Sequence, residues 1–169
     1  MKKSLFLLIS ILLISAGFYS CEKANTQKEF SPEKSFAVHM QAQKDKKQFE
    51  ADIKCLSAEE IILSFTFPKE LSGFTVTTVK DGYLVNVFGV TDEVSAEDIK
   101  ESALINILTQ AIKISVYKNH GLFVTDEKNT RAEITIDGIP VSVTFTNDGI
   151  ISEIRAETIG FFALFQKSG

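Results

Sequence analysis

Apolar and polar residues alternate along most of the chain from Ser35 onward, and this period of two is typical of β-strands with one buried face. The first two alternating runs cover 36–43 and 48–55. Residues 44–46 (Lys-Asp-Lys) lie between them and predict a turn. The pattern therefore predicts an antiparallel hairpin with one apolar face and one polar, solvent-exposed face.

The same alternation recurs in shorter runs on both sides of one interruption. The further predicted strands cover 61–67, 74–79, 83–88, 122–124, 131–136, 141–145, 150–157 and 161–165. Pro68 ends the first of these, and hairpin turns are predicted at Asp81-Gly82, Asp137-Gly138 and Asn147-Asp148-Gly149. We expect about nine strands that pair in order as a meander, and a sheet of that length must twist and curl.

The interruption has helical spacing. Ser95 with Asp98 three residues later resembles a capping box. The apolar positions around and after it are Ala96, Ile99, Ala103, Leu104, Ile107, Leu108, Ala111 and Ile112. They predict one helix over about 95–114, about 30 Å long, which covers much of one sheet face but not all of it. The predicted fold class is α+β: a long curled antiparallel meander, or half-open barrel, with one main helix across its concave face.

The first 20 residues have a different pattern. Lys2 and Lys3 precede a nearly all-apolar run at 5–14, and small residues follow at 15–17. This is the layout of a secretory signal, and its apolar core is too short for an ordinary membrane span. The chain is therefore expected to leave the cytoplasm.

The end of this signal, Phe18-Tyr19-Ser20-Cys21, resembles the lipobox of bacterial lipoproteins, in which a cysteine closes the signal and receives diacylglycerol. Ser20 fits the small residue before the cut, whereas Phe18 and Tyr19 are bulkier than the usual residues. The alternative is an ordinary cleaved signal followed by a coincidental cysteine. The resemblance implies that a lipid on Cys21 anchors the protein to the outer face of a membrane, where more than one acyl chain gives durable anchoring.

The predicted organisation is a signal peptide at 1–20, a flexible polar tether at 21–34 and a single β-rich domain at 35–169. Loss of Lys2 and Lys3 with the signal takes the net charge from −4 to about −6, which argues against nucleic acid as a partner. The chain has 14 Phe and no Trp, so much apolar surface must be buried or offered to an apolar partner.

Residues that carry reactive or metal-binding chemistry are few. If Cys21 is lipidated, Cys55 has no cysteine to pair with, and its phase with Ile53 predicts a small buried hydrophobe in preference to a reactive thiol. His39 and His120 lie far apart in unrelated contexts, so no metal-ligand spacing occurs and no cofactor is predicted.

The sequence predicts no enzyme, because it has no nucleophile elbow, phosphate loop or metal-ligand run. The acidic pairs Asp126-Glu127 and Glu153 with Glu157 are expected to be solvated surface, and not an acid–base pair. Tyr83 and Tyr117 could end a pocket with a hydroxyl, and amphipathic packing at an edge explains them as well.

One stretch, 36–89, resembles a known family. Its two charged hairpin strands are followed by Ser-Phe-Thr-Phe-Pro at 64–68 and Leu-Ser-Gly-Phe-Thr-Val at 71–76. This order, with a helix after Val94, is similar to that of the lipoprotein-carrier superfamily, or LolA-like proteins. The superfamily includes the periplasmic lipoprotein carrier, its outer-membrane receptor and mycobacterial lipid-binding lipoproteins. The likeness covers roughly 36–165.

The resemblance implies that the concave apolar face binds acyl chains or a lipidated partner between helix and sheet. The candidate positions are Phe36, Val38, Met40, Phe49, Ile53, Phe65, Phe67, Phe74, Val76, Val85, Val87, Leu104, Leu108, Val143 and Phe145. Each is also needed to build a core, and only a sheet that the helix covers incompletely leaves apolar surface for a ligand. The alternatives are a cell-envelope interaction or structural domain with no ligand cavity, and an enzyme whose polar cluster the sequence does not reveal.

Overall fold

The fold is an open antiparallel sheet curled around one helix, and the computed structural model describes residues 30–98, 103–118, 123–125 and 129–168. Within these residues the sheet has eleven strands. Their bounds are β1 Phe36–Lys44, β2 Lys47–Cys55, β3 Ile61–Phe67, β4 Phe74–Val79, β5 Gly82–Val87, β6 Val90–Ser95, β7 Phe123–Thr125, β8 Thr130–Ile136, β9 Ile139–Phe145, β10 Ile151–Ala156 and β11 Phe161–Lys167. Helix α1 covers Leu104–Ile112 and continues as a π-helical turn over Lys113–Lys118. Short 3-10 turns cover Lys69–Leu71, Ala96–Asp98 and Glu157–Ile159.

The strands form two arms that meet in the middle of the sheet, whose order is β6-β5-β4-β3-β2-β1-β11-β10-β9-β8-β7. Each arm is a run of sequential hairpins, as the alternation predicts. The first and last strands join the arms by antiparallel pairing from Val38 with Lys167 to Lys44 with Phe161. The meander is therefore interrupted at the helix, because the chain leaves one edge of the sheet after β6 and returns at the other edge with β7. Within the described strands these two edges do not pair with each other, so the barrel is half-open.

The direction of α1 distinguishes the two ends of this half-barrel. Near the start of the helix, Asn106 Nδ2 donates to Asp137 Oδ2 at 3.1 Å, and Asp137 lies in the turn between β8 and β9. Beyond its last turn, Tyr117 Oη lies 3.3 Å from the sulfur of Cys55, the last residue of β2. The helix thus runs from the end where β1, β3 and β5 finish, which we call the rim end, to the opposite, tether end.

A short segment before β1 packs on the tether end. The Phe30 ring makes edge contacts with Phe123 and Phe145, at centroid distances of 4.9 and 5.4 Å. Contacts of the folded domain therefore begin before residue 35, the predicted boundary. The predicted signal peptide, Cys21 and most of the predicted tether lie outside the described residues.

The prediction that the helix starts at Ser95 is wrong. Ser95 is the last residue of β6 and pairs with Gly82. Its hydroxyl accepts a hydrogen bond from the Glu97 amide at 3.3 Å, so it caps a 3-10 turn and not the α-helix. The helix begins at Leu104 and its π-helical continuation ends at Lys118, beyond the predicted end at 114. Residues 99–102 of the predicted helix lie outside the described part of the chain.

The predicted number of strands was too low because the sequence pattern did not reveal β6. This strand pairs with β5 along its whole length, from Val87 with Val90 to Gly82 with Ser95. It is apolar only at Val90 and Val94, because an edge strand exposed on both faces needs little apolar surface.

The turn expected at Asp81-Gly82 lies one residue earlier in the structure. Val79 pairs with Gly82, so Lys80 and Asp81 form the turn. Gly82 is buried, and a Cβ atom there would collide with the carbonyl of Val94 on β6. The glycine therefore permits close approach of two strands and does not supply a positive φ at the turn.

The core lies between α1 and the inner face of the sheet. The helix buries Ile107, Leu108, Ala111, Ile112 and Val116 in one cluster with the inward side chains of both arms. Among the described residues, no helix is long and apolar enough to cross a membrane. The side chains of this cluster, from the helix and from both arms, fill the middle of the hollow.

Candidate functional site

The structure divides the predicted ligand-binding residues into three groups by burial. Nine are buried in the core: Phe36, Val38, Met40, Ile53, Phe65, Val76, Leu108, Val143 and Phe145. Four are half-buried: Phe49, Phe74, Val85 and Leu104. Two are exposed: Phe67 and Val87. Solvent exposure is therefore limited to six of the predicted ligand-binding side chains.

The half-buried residues of the sheet lie side by side at the rim end. Phe74 pairs with Val87, and Val76, two positions along β4, pairs with Val85. The Phe74 ring meets that of the buried Phe65 edge-on, at 5.7 Å between centroids. Phe65 pairs in turn with Ala51, two residues after Phe49 on the same face of β2. We call Phe49, Phe74, Val85 and Val87 the apolar rim.

The apolar rim lies at the end of the barrel where helix α1 begins. The helix begins at Leu104 near the same end, where its first turn contributes Asn106 to the contact with Asp137. Side chains that face inward deeper in the barrel meet Ile107 and Leu108, which are fully buried. On this side of the sheet the inward residues of the rim are half-buried or exposed. An apolar strip of this kind can accept a hydrocarbon group without a polar partner.

Polar groups inside the barrel are satisfied by each other. The Tyr83 and Thr109 hydroxyls lie 3.1 Å apart, and Thr109 Oγ1 donates to the carbonyl of Ile105 at 2.8 Å. Tyr83 is therefore a buried link between β5 and α1.

Tyr117 joins three elements at the tether end. Its hydroxyl donates to the carbonyl of Lys34 and lies 3.3 Å from the Cys55 sulfur. Cys55 is fully buried, which confirms the prediction of a small buried hydrophobe. Burial raises the pKa of the Cys55 thiol, which the hydrogen bond to Tyr117 partly offsets. Burial first, and then the hydrogen bond to Cys55, raises the pKa of Tyr117.

We expect the domain to lose stability as the pH rises from about 8 to about 11, since unfolded Cys and Tyr ionise near about 8.5 and about 10. Cys55 and Tyr117 hold their protons more tightly when folded. Their stabilising effect is complete below the unfolded pKa and is lost as the pH rises towards the folded one. Lys113, whose pKa is lowered mainly by burial, works in the opposite direction.

Urea unfolding at several pH values tests this expectation. The free energy of unfolding should fall less steeply with pH in the Cys55→Ala and Tyr117→Phe variants, because each variant lacks one of the two ionisable groups. An unchanged slope in the double variant would show that other groups cause the alkaline loss.

A groove on the outer face was not predicted. It has a volume of about 330 Å³. Its walls on the outer face are Gln41, Gln43, Gln48, Glu50, Phe162 and Leu164, and the inward-facing Ala42 and Phe49 also border it. The sequence signal for it was present in β11, where Phe162 and Leu164 place apolar side chains at positions that alternate with buried ones.

A second cavity, of about 470 Å³, lies at the tether end between the helix and the β4–β6 strand ends. Gln110 and Lys113 line it from the helix side, and Lys80, Asp81 and Glu97 line it from the sheet side. The sequence predicted a pocket between helix and sheet lined by Phe, Ile, Val and Leu, and this cavity is polar. Its lining does not suit an acyl chain.

Metal-binding and acid–base residues do not assemble into a site in the part of the chain that the structure describes. No group of three or more His, Cys, Asp or Glu there is placed to hold a metal ion. His39 lies on the outer face, 2.9 Å from Asp52 and 3.8 Å from Glu50. These side chains are substantially exposed, so the cluster is a surface ion-pair network. His120 and the pair Asp126-Glu127 lie outside the described residues.

No protein-family model matches the sequence, and no curated protein matches it. Among solved structures, the fold is similar to a LolA superfamily protein from Nitrosomonas europaea, with 10% identity, a TM-score of 0.41 and coverage of 82% of this chain and 86% of that one. It is also similar to a DUF1329 family protein from Desulfovibrio piger, with 11% identity, a TM-score of 0.28 and coverage of 80% and 83%.

Proposed function

We propose that the protein is an exported lipoprotein, anchored through Cys21, whose half-open sheet binds an acyl chain at the apolar rim. This acyl chain would be part of a lipid or of an acylated partner protein. The observation that supports this proposal is the set of partly exposed apolar side chains of the rim, in which Phe74 pairs directly with Val87. Large uncovered apolar patches on monomeric proteins commonly mark binding sites.

Burial limits where a ligand can sit. The side chains of Ile107, Leu108 and Ile112 occupy the centre of the hollow with no exposed surface. Entry of a chain there would require the helix to move. At the apolar rim, a hydrocarbon chain can lie on Phe74 and Val85 without displacing any core residue. The ligand is therefore expected to bind at the mouth of the barrel.

The free energy of burying methylene groups sets the minimum length of the acyl chain. Each buried CH₂ group contributes about 0.8 kcal/mol, and a micromolar complex requires about 8 kcal/mol beyond the cost of association. More than about ten methylene groups must therefore leave water. This requirement favours long acyl chains over short ones. The apolar rim has no cationic side chain, so the carboxylate or headgroup remains in solvent.

The test compares two substitutions on neighbouring residues of β5. Val85 is half-buried and faces the hollow, whereas Leu84 faces the outside. Val85→Asp should weaken binding of a fluorescent long-chain fatty acid by about tenfold or more, because it places a charge under the chain. Leu84→Asp should leave the affinity unchanged. The protein used is the processed chain with Cys21→Ser, so that it carries no lipid of its own.

Two results would contradict the proposal. One is the absence of saturable binding by the parent protein at fatty acid concentrations below the critical micelle concentration. The other is an equal loss of affinity in both variants, which would mean that binding does not depend on the face that Val85 occupies. Circular dichroism of both variants separates loss of binding from loss of fold.

A second candidate function is a cell-envelope interaction domain. The outer groove supports it, because three glutamines and the exposed Leu164 form a mixed surface that suits a protein or glycan better than an acyl chain. Binding of the protein to isolated cell-envelope material that Gln43→Ala weakens, and Val85→Asp does not, would favour this function.

A further inference from the structure

The turn between β5 and β6 projects an apolar group from the rim end. Phe88 is 79% exposed, Val90 is 72% exposed and Val87 is 38% exposed. Val87 and Val90 are the last pair of the hairpin ladder, so the two side chains flank Phe88 and Gly89. We call Val87–Val90 the apolar tip. It adjoins the apolar rim through Val87, which pairs with Phe74.

The aromatic residue of the tip occupies an unfavourable backbone position. Phe88 has a φ of 50° and Gly89 a φ of 89°, and positive values at both central residues define the hairpin turns that favour Asn-Gly. A bulky residue rarely adopts such a φ, because its Cβ meets the backbone. Folding alone would favour a small polar residue here. The ring at this place therefore points to a role outside the fold.

The ring lies beside Gly73. A Cβ atom built on Gly73 would stand 3.4 Å from Phe88 Cε1, which is ordinary van der Waals contact distance. Gly73 itself has a φ of 90°, which a residue with a side chain seldom adopts. Exposed Phe67, the last residue of β3, lies at the same end of the sheet. The tip is thus an exposed apolar projection at the rim end, next to the start of β4.

The polar backbone groups of the tip have partners within the hairpin. The Gly89 amide donates to Asn86 Oδ1 at 3.1 Å, and Asn86 Nδ2 donates to Thr91 Oγ1 at 2.8 Å. Hydrocarbon cannot replace water as a hydrogen-bond partner, so a segment that enters it must satisfy its amides internally. The apolar tip meets this requirement at Gly89.

We propose that the apolar tip binds the surface of a lipid bilayer and inserts the Phe88 ring among the headgroups. Strand β6 carries two acidic residues, Asp92 and Glu93, and no Lys or Arg, so anionic lipids would repel it. The bilayer that suits it has zwitterionic headgroups, and the attraction is apolar. This inference does not depend on ligand binding at the apolar rim, although binding to a bilayer would bring that rim to the membrane surface.

The absence of Trp from the chain permits a direct test. Phe88→Trp provides a single indole at the tip, and Val124→Trp provides one on the opposite edge strand, where Val124 is 71% exposed. Both are made in the processed chain with Cys21→Ser. With phosphatidylcholine vesicles, emission of the Phe88→Trp protein should shift to the blue and be quenched by brominated lipid. Emission of the Val124→Trp protein should not change.

A second measurement removes the ring without endangering the fold. Phe88→Asn produces Asn-Gly, the preferred sequence for this turn, so the urea midpoint should not fall. Its partition onto phosphatidylcholine vesicles should drop by about tenfold or more, because the transfer of a Phe side chain is lost. Val90→Asn should also weaken partition. Val124→Asn, at a valine of matching exposure, should leave it within about twofold.

Three outcomes would overturn the proposal. Unshifted emission of the Phe88→Trp protein with phosphatidylcholine would show that the tip stays in water. Binding that needs anionic lipid and disappears with salt would show a charge-driven contact elsewhere. A blue shift without vesicles that grows with protein concentration would make the tip a contact between copies of the chain. In contrast, vesicle binding that persists in Val85→Asp would support the proposal, because it would show that the tip binds the bilayer without a ligand at the apolar rim.

Discussion

Phe145→Ala is expected to lower the free energy of unfolding by about 3–5 kcal/mol, the usual range for truncating a buried Phe. Phe145 is fully buried at the end of β9. Its ring makes edge contacts with Phe30 and Phe123, at 5.4 and 5.7 Å between centroids. Its loss removes an interaction that joins the N-terminal segment and the edge strand β7 to the core. Such aromatic pairs add about 0.5–1.5 kcal/mol each beyond the burial of area.

The matched control is Phe162→Ala on the outer face. Phe162 is half-buried beneath the Arg155 guanidinium, which lies 4.8 Å from the ring centroid, and the space that it leaves is open to water. We expect a cost of about 1 kcal/mol or less from this truncation. Urea unfolding followed by circular dichroism gives both values. Equal costs for the two substitutions would mean that Phe145 is not the buried centre of the three-ring cluster.

The strands were predictable where one face is buried and the other is wet. In β1 and β2 the inward and outward residues alternate without a break, so periodicity alone located both strands and their turn. The same argument placed Cys55 inside. In contrast, alternation carries no information about which strand lies next to which. The pairing of β1 with β11 joins residues at opposite ends of the domain, and no local signal in the sequence indicates it.

The helix boundary and β6 were missed for one shared reason. An edge strand exposed on both faces needs few apolar residues, so the six residues from Val90 lack a clear period. The first strong period after them is helical, and it was extended back to Ser95. The signal that could have corrected this was Gly89, because glycine after Phe88 favours a hairpin turn and therefore a strand on each side.

The candidate site was predictable only in part. Periodicity identified which residues face the hollow, and Phe74 and Val85 were among them. It could not identify which of them the helix covers, because the position of α1 along the barrel depends on contacts such as Asn106 with Asp137. The apolar tip was missed because Phe88 was assigned to a strand. Exposure at a turn follows from the hairpin register, which Val87 and Val90 set.

Cys21→Ala is expected to release the protein from the membrane almost completely. The wild-type chain should label with palmitate and sediment with membranes, since two or more acyl chains anchor a protein durably. The variant should not label. Cys55→Ala is the matched control, because it removes the other cysteine, which is buried and far from the predicted signal. It should label and sediment as the wild type does.

The apolar tip offers a second contact with the membrane, and its position in the fold separates its effect from that of Cys21. Residues 30–34 join the domain at the tether end, where the Glu33 amide donates to the Gly149 carbonyl at 2.9 Å, and the tip lies at the rim end. An anchor at Cys21 and the tip therefore act on opposite ends of the domain. Membrane association that survives Cys21→Ala without palmitate label, and disappears when Phe88→Asn is added, would come from the tip. Palmitate label that survives Cys21→Ala would refute the lipoprotein assignment itself.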